Sequence, residues 1–396
     1  MRLLVSEIFP PRVGGSGRWL YEVYRRLPTQ SVTVAADQHA HAATFDAVEP
    51  LPIHRLPLRF RNWGMFDPRG WRGYWQAYRA LAADIKQLRP TELHCGRCLP
   101  EGWLGLLCKV RFGLPFVCYV HGEELPLAAQ SRELRWMNRQ VLKHARLLIA
   151  NTHNTARILT DNWQVPAQRV RVLHPGVDCE RFIPHDASES VRSSLGWSGR
   201  QVLLTVGRLQ TRKGHDTLIR ALPKIREAVS NILYVIVGDG EERARLEALV
   251  DQLNVRSLVQ FRNEPADEEL IRCYQQCDLF VLPNREVHGD FEGFGMVLIE
   301  AQACGKPVIA GASGGTSEAV RHGRTGLVIP CEAPEPLAAT IVALLADPQK
   351  MAAMGADARA WTERHFHWPS LVRSAAEILG LSPATNDVQR IPLTIG

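Results

Sequence analysis

The sequence predicts an α/β protein built from two doubly wound Rossmann-like domains, and three observations carry that expectation. Short β-branched apolar runs alternate with helical periods along the whole chain, which is the pattern of parallel β-α-β units. The 396 residues suffice for two to three domains, each able to bury most of its apolar surface. Charge divides by halves: residues 1–185 hold 25 Lys and Arg against 15 Asp and Glu, a balance of +10, and residues 186–396 hold 22 against 26, a balance of −4. Halves of opposite sign point to domains with different partners.

In the first half "RLLVSEI" reads as a strand, "GSGRWLYEVYRRLP" as a helix opened by glycines and "SVTVAA" as a strand. "GYWQAYRALAADIKQLRP" has an amphipathic helical period stopped by Pro90, followed by the strand "TELHC", the helix "PEGWLGLLCKVRFG" and the strand "PFVCYV". After the helical "RELRWMNRQVLKHA" come the strand "RLLIAN" and the short strand "RVRVLHPGV". In the second half "QVLLTVG", "ILYVIVGDG", "LVQFRN", "LFVLPN", "KPVIAG" and "GLVIP" are the buried strands, with helices between them.

The segment 174–190, "HPGVDCERFIPHDASES", is rich in turn formers and lacks periodicity, which marks the domain boundary. The expected domains are therefore residues 1–180 and 181–366. Residues 367–396 add a final helix, "WPSLVRSAAEILG", packing back on the N-terminal domain, and a polar tail expected to be mobile.

Composition, at 45% hydrophobic and 22% charged, is that of a globular protein. The apolar start is broken by Glu7, and no run of about 18 apolar residues occurs, so a cytoplasmic protein without a membrane span is expected. Nine scattered cysteines argue against a disulfide framework. Cys95 and Cys98 in "HCGRC" have a metal or redox spacing, but no second close pair of ligands accompanies them, so they read as core thiols.

The chemistry concentrates at predicted strand ends. In "FEGFGMVLIEAQACGKPVIAG" a helix ended by Gly305 places Glu292 just before its N-terminus and Glu300 one turn beyond Met296. Free amides at that terminus suit a phosphate, and carboxylates beside it suit sugar hydroxyls. In "TVGRLQTRKGHDTLIRAL" the strand ends at Gly207, and Arg208 and Lys213 stand where two permanent cations bind a diphosphate without a metal. "VGGSGRWL" is a glycine loop after the first strand; Leu20 stands where a dinucleotide fingerprint has its third glycine, so only close backbone approach to a ligand is read from it. His121 in "FVCYVHGEE" ends a strand, placed to donate to a hydroxyl or phosphate oxygen. Asp-x-Asp, the usual carboxylate pair for a metal-bound nucleotide sugar, is absent.

In order along the chain, "GGSG", "HGEE", "HPGVD", "VGRLQTRKG", "VGDGEER" and "EGFGMVLIEAQACGKPVIAGASGGTSEAV" resemble glycosyltransferase family 4. That resemblance implies the GT-B arrangement, with an N-terminal acceptor-binding and a C-terminal nucleotide-sugar-binding domain facing across a cleft. It implies a retaining hexosyltransferase using a nucleoside diphosphate sugar as donor, without a required metal or other cofactor. By the same resemblance Arg208 and Lys213 hold the diphosphate, Glu300 the ribose hydroxyls, and Glu292 the donor sugar. The backbone of Phe294, Gly295 and Met296 meets the phosphates, His121 stands at the reacting sugar, and Gly15 lies near the phosphate. Arg262 and Asn263 replace a glycine common in relatives where the base is expected, which counts Arg262 among the donor-binding residues. "HGDFEGFG" and "ASGGTSEA" resemble the mannosyltransferase-like branch, placing GDP-mannose ahead of a UDP-sugar.

The acceptor, a glycolipid, polysaccharide or other glycan, is expected against the basic first half. There Arg55, Arg59, Arg61, Arg69 and Arg72 interleave with Phe60, Trp63, Phe66, Trp71, Tyr74 and Trp75. Such a mixture suits peripheral contact with an anionic membrane or a lipid-linked acceptor, and no nucleic-acid module accompanies it. The competing expectations are a GT-B sugar-nucleotide epimerase and a non-catalytic nucleotide-sugar-binding peripheral protein.

Overall fold

The computed structural model describes residues 1–381 except Val13 and Glu264; the tail expected to be mobile lies outside these residues. The chain folds as two units, the first comprising Met1–Pro175 together with the final helix Trp368–Leu379, the second Gly176–His367. The chain crosses between them at Pro175, within the turn-rich segment 174–190.

Seven parallel strands form the first sheet: β1 (Arg2–Ser6), β2 (Val32–Asp37), β3 (Ile53–Leu56), β4 (Glu92–Cys95), β5 (Phe116–Val120), β6 (Leu147–Ala150) and β7 (Val170–Val172). Their order is β3-β2-β1-β4-β5-β6-β7. The second sheet holds β8 (Gln201–Val206), β9 (Ile232–Val237), β10 (Val259–Arg262), β11 (Leu279–Leu282), β12 (Val308–Gly311) and β13 (Gly326–Ile329), ordered β10-β9-β8-β11-β12-β13. In each sheet the winding direction reverses once, between β1 and β4 and between β8 and β11. Loops following strands at such a reversal diverge and leave a crevice for ligands.

Helices cover both faces of each sheet, so the central strands are apolar throughout rather than alternating; all of β5 and β9 is buried. The two faces still sort by the period of two. Leu233, Val235 and Val237 enter one core of the second unit, and Ile232, Tyr234 and Ile236 enter the other.

The helix Pro68–Leu88 begins earlier than its apolar period indicates, because Asp67 caps it by accepting from the Arg69 amide at 2.7 Å and Pro68 occupies its first turn. Tyr74, Ala77, Leu81 and Ile85 line its buried face, each large side chain contributing roughly 1.5–3 kcal/mol of burial. Trp71 and Trp75 stay exposed on the same helix.

β3 is not visible in the periodicity, being four residues at the sheet edge. Its presence corrects one expectation: Arg55 does not belong to a free basic surface. Its guanidinium donates to Asp46 at 2.6 and 3.0 Å and to the carbonyls of Asp37 and Pro10 at 3.0 and 2.9 Å.

The final helix Trp368–Leu379 packs on the helix Gly15–Tyr24 of the first unit. The Arg26 guanidinium lies 5.8 Å from the Trp368 ring centre, and Arg2 donates to the Gly380 carbonyl at 3.0 Å. All nine cysteines are reduced and buried. Cys95 and Cys98 are fully enclosed, and the Cys98 sulfur lies 3.9 Å from that of Cys118, as core thiols do. No described helix is long and apolar enough to cross a membrane.

At the strand-start edge of the first sheet, Glu92 is gripped by Arg146 at 2.5 and 3.0 Å, with His94 Nε2 at 3.4 Å. Burial raises its pKa, but the hydrogen bonds and charges of His94 and Arg146 outweigh burial and hold it at about 2. A carboxylate depressed in the folded state stabilises above its ordinary pKa and loses that contribution as pH falls through the folded value. Glu92→Gln is therefore expected to cost about 1 kcal/mol at pH 7, a figure kept low because the Arg146 side chain is half exposed. The cost should shrink toward pH 2, as read from urea midpoints; an equal cost at pH 7 and pH 2 would contradict it.

Candidate active site

In the second unit the loop after β8 carries the two expected cations. Arg208 follows Gly207 directly and is exposed, whereas Lys213, in the single turn Thr211–Lys213, is buried. The close approach of the Lys213 ammonium to Gly207, where an added Cβ would lie 3.7 Å from Nζ, brings it back to the end of β8. There it meets Glu292, with Nζ 2.6 Å from Oε2.

Arg212, which the sequence pattern does not single out, is also buried and donates through Nη1 to the same Glu292 oxygen at 2.7 Å. Its Nε lies 3.1 Å from Asp290 Oδ1. Burial works against the Glu292 charge, but Lys213 and Arg212 overcome it and hold the carboxyl below the usual range. Glu292 is thus a stable anion with both cations on one oxygen. The signal for Arg212 is present as a third cation in "QTRKG". Nothing in a one-dimensional reading separates a buried loop arginine from a solvated one.

Beyond Glu292 the chain runs through buried Phe294 to Gly295, whose φ of 83° opens the helix Met296–Ala303. The first-turn amides of a helix have no intrahelical carbonyl to bond. Phe294, Gly295 and Met296 therefore place backbone donors two to four residues after the Glu292 carboxylate. Glu300 is one turn further and almost fully buried, its Oε2 accepting from the Tyr274 hydroxyl at 2.7 Å. Next along the loop, His215 is enclosed, and burial first, then Lys213, lowers its pKa to about 4, so it is neutral and leaves the positive charge to its neighbours.

Arg262 ends β10 but is turned inward. It donates to the Leu195 carbonyl at 2.6 Å and to Gln260 at 3.4 Å, pairs with Glu269, and stands 5.9 Å from the Trp197 ring centre. A guanidinium spent on these partners ties β10 to the chain before β8. These are the partners the structure shows for Arg262, which the sequence reading counts among the donor-binding residues.

In the first unit His121 follows β5 and is held on every side. Its amide donates to Glu124 Oε1 at 3.0 Å, its carbonyl accepts from Asn151 Nδ2 at 2.8 Å, and its ring meets the Trp19 edge with centres 5.3 Å apart. Nε2 donates to the Gly96 carbonyl at 2.8 Å. A carbonyl only accepts, so Nε2 carries a proton. The Gly96 carbonyl thus occupies Nε2, and the ring nitrogen left to face a ligand is Nδ1.

Gly15 is the exposed first residue of the helix Gly15–Tyr24. Two residues on, Gly17 permits that helix to approach the end of β1, since a Cβ there would stand 1.7 Å from the Ile8 carbonyl oxygen. Around the same strand end Glu7 is bridged by Arg12 at 3.0 Å and Arg97 at 2.8 Å.

Two parallel-sheet units, one carrying paired cations and an anionic carboxylate before a helix N-terminus, are those of a GT-B glycosyltransferase. The chain belongs to glycosyltransferase family 4. Residues 13–181 match the family described as Glycosyltransferase Family 4, and residues 188–361 match that described as Glycosyl transferases group 1. The chain is similar, at 30% identity over 95% of its length and 97% of the relative, to a GDP-mannose-dependent alpha-(1-6)-phosphatidylinositol monomannoside mannosyltransferase of Mycolicibacterium smegmatis. It is 33% identical, over 74% of its length and 70% of the relative, to a D-inositol 3-phosphate glycosyltransferase of Thermobispora bispora.

Among solved structures, Anabaena HepE in complex with UDP-glucose shares the fold with a TM-score of 0.79 at 22% identity, covering 96% of this chain and 99% of that one. The sucrose-phosphate synthase of Thermosynechococcus elongatus does so with a TM-score of 0.80 at 24% identity, covering 96% and 98%.

Proposed function

We propose that the chain transfers mannose from GDP-mannose, with retention of configuration and without a required metal, to a glycolipid acceptor. The observation that carries the reading is the convergence of Lys213 and Arg212 on Glu292 next to the amides that open the helix Met296–Ala303. Fixed cations and amide dipoles stabilise the charge that grows on a leaving diphosphate. A carboxylate kept ionised beside them accepts from a sugar hydroxyl through Oε1, the oxygen the two cations leave. In this reading Arg208 and Lys213 take the diphosphate, the backbone of Phe294, Gly295 and Met296 supports it, and Glu300 holds the ribose. The second unit is then the donor domain, and the first unit, with Gly15 and His121, the acceptor domain. The leaving diphosphate takes the acceptor's proton, so no side chain serves as a covalent nucleophile.

GDP-mannose is preferred because the M. smegmatis relative is named for that donor and matches over almost the full length. A thermal-shift panel of GDP-, UDP- and ADP-sugars tests the donor directly. A ligand at 100 times its dissociation constant adds about 2.7 kcal/mol of stability, and GDP-mannose is expected to give the largest rise. A larger rise with a UDP-sugar would reassign the base. With EDTA present, GDP release only on addition of a glycolipid acceptor distinguishes transfer from epimerisation and from binding alone, and an α-linked product in the NMR spectrum establishes retention.

The proposed place of work is the cytoplasmic face of a membrane. Exposed Phe66, Trp71 and Trp75 stand with exposed Arg61, Arg69 and Arg72 in the first unit, and Trp71 and Trp75 stack with centres 6.1 Å apart and planes 3° apart. Aromatic rings among arginines suit the interface of an anionic bilayer. The protein is expected to float with vesicles containing anionic lipid and not with neutral ones. Trp71→Ala with Trp75→Ala should reduce flotation about tenfold or more. Flotation unchanged in the double variant would reject this surface.

A further inference from the structure

Glu292 has two cations on one oxygen, and they differ in how firmly they are placed. Arg212 is anchored twice over: Nε is 3.1 Å from Asp290, and its carbonyl accepts from the Arg285 amide at 2.8 Å. Arg285 is itself fixed by two bonds to Asp216 at 2.9 and 3.0 Å and one to Thr217 at 2.6 Å. Lys213 has Glu292 as its ion-pair partner at 2.6 Å, and its ammonium is a point charge on a flexible stem. The guanidinium is therefore the fixed partner of the carboxylate and the ammonium the movable one.

A diphosphate arriving at the end of β8 competes with Glu292 for Lys213. Were Lys213 the carboxylate's sole cation, its departure would strand a buried anion, which is strongly unfavourable, and the lysine charge would be withheld from the ligand. Resting on the function proposed above, we propose that Arg212 is a positioning residue that retains the Glu292 carboxylate while the Lys213 ammonium turns to the donor diphosphate. With Arg212 held against both Asp290 and Glu292, Lys213 joins Arg208 as a cation left for the ligand.

The test is a double-mutant cycle read by calorimetric titration of GDP and, separately, UDP, with thermal melts to check folding. Arg212→Ala is expected to weaken nucleoside diphosphate binding by about tenfold or more. Adding Glu292→Gln to Arg212→Ala should restore binding to the level of Glu292→Gln alone, because without the carboxylate nothing restrains Lys213. A purely structural arginine predicts the opposite, a double variant no tighter than Arg212→Ala. Unchanged binding by folded Arg212→Ala, or a failed restoration by Glu292→Gln, overturns the proposal. If Arg212→Ala does not fold, Arg212→Gln with and without Glu292→Gln reads the same coupling: restored binding in the pair supports the proposal, and its failure overturns it. If the unaltered chain binds neither GDP nor UDP, the functional reading itself falls and this proposal with it, a result distinct from either failure in the cycle.

Discussion

Arg208→Ala is expected to retain the melting temperature of the parent and to lose about 100- to 1000-fold in turnover, the usual consequence of deleting one preorganised donor at a developing negative charge. The two halves of that expectation have separate causes. The side chain is exposed, so its removal opens no cavity and strands no buried partner. It directly follows Gly207 at the end of β8, the glycine that the Lys213 ammonium approaches. A guanidinium there offers paired donors to two phosphoryl oxygens, which a lysine cannot match geometrically. Arg208→Lys should therefore recover only part of the loss. Steady-state kinetics with GDP-mannose and the acceptor supply the measurement. Near-parental turnover in a folded Arg208→Ala protein would remove Arg208 from the reaction.

How far a single sequence reaches is visible in particular elements. Every buried central strand is legible because parallel strands covered on both faces leave continuous apolar runs. β3 is not, because a four-residue edge strand spelled Ile-His-Arg-Leu has neither the run nor the alternation. The capped start of the helix Pro68–Leu88 escapes for a related reason: Asp67 and Pro68 act through capping geometry, which periodicity does not register.

At the site, residue type and distance from a strand end locate Lys213, Glu292 and Glu300 as chemistry-bearing positions. They do not predict that Lys213 and Glu292 neutralise each other, nor that Arg212 joins them, since partner choice is set across 80 residues of sequence. The partners of Arg262 are equally invisible in the sequence. It occupies a strand end like the others, yet Glu269 and the Leu195 carbonyl claim its guanidinium. A strand-end position does not by itself say whether the unit's own acceptors already hold the side chain.

The other large effect is expected from a residue with no side chain. Gly214 sits between Lys213 and the helix His215–Ala228 with φ of 73°, a conformation that disfavours any Cβ. Strain alone makes Gly→Ala unfavourable at such a position. Here a second cost is added, because the new carbon would stand 1.8 Å from the carbonyl oxygen of Pro283, at the mouth of β11. That oxygen belongs to backbone packed between strand and loop, so relief requires moving either β11 or the Lys213 turn. Gly214→Ala should accordingly lower stability by about 2–4 kcal/mol, the overpacking and backbone penalties together. Whatever fraction folds should bind nucleoside diphosphate poorly, since the turn most free to shift carries Arg212 and Lys213. Denaturant melts and GDP titration on the same preparation check both halves. Gly214→Ala with parental stability would mean that the loop after β8 is not pressed against β11 as described. Loss of stability with intact GDP affinity would mean that the displacement falls on β11 instead of on the cations.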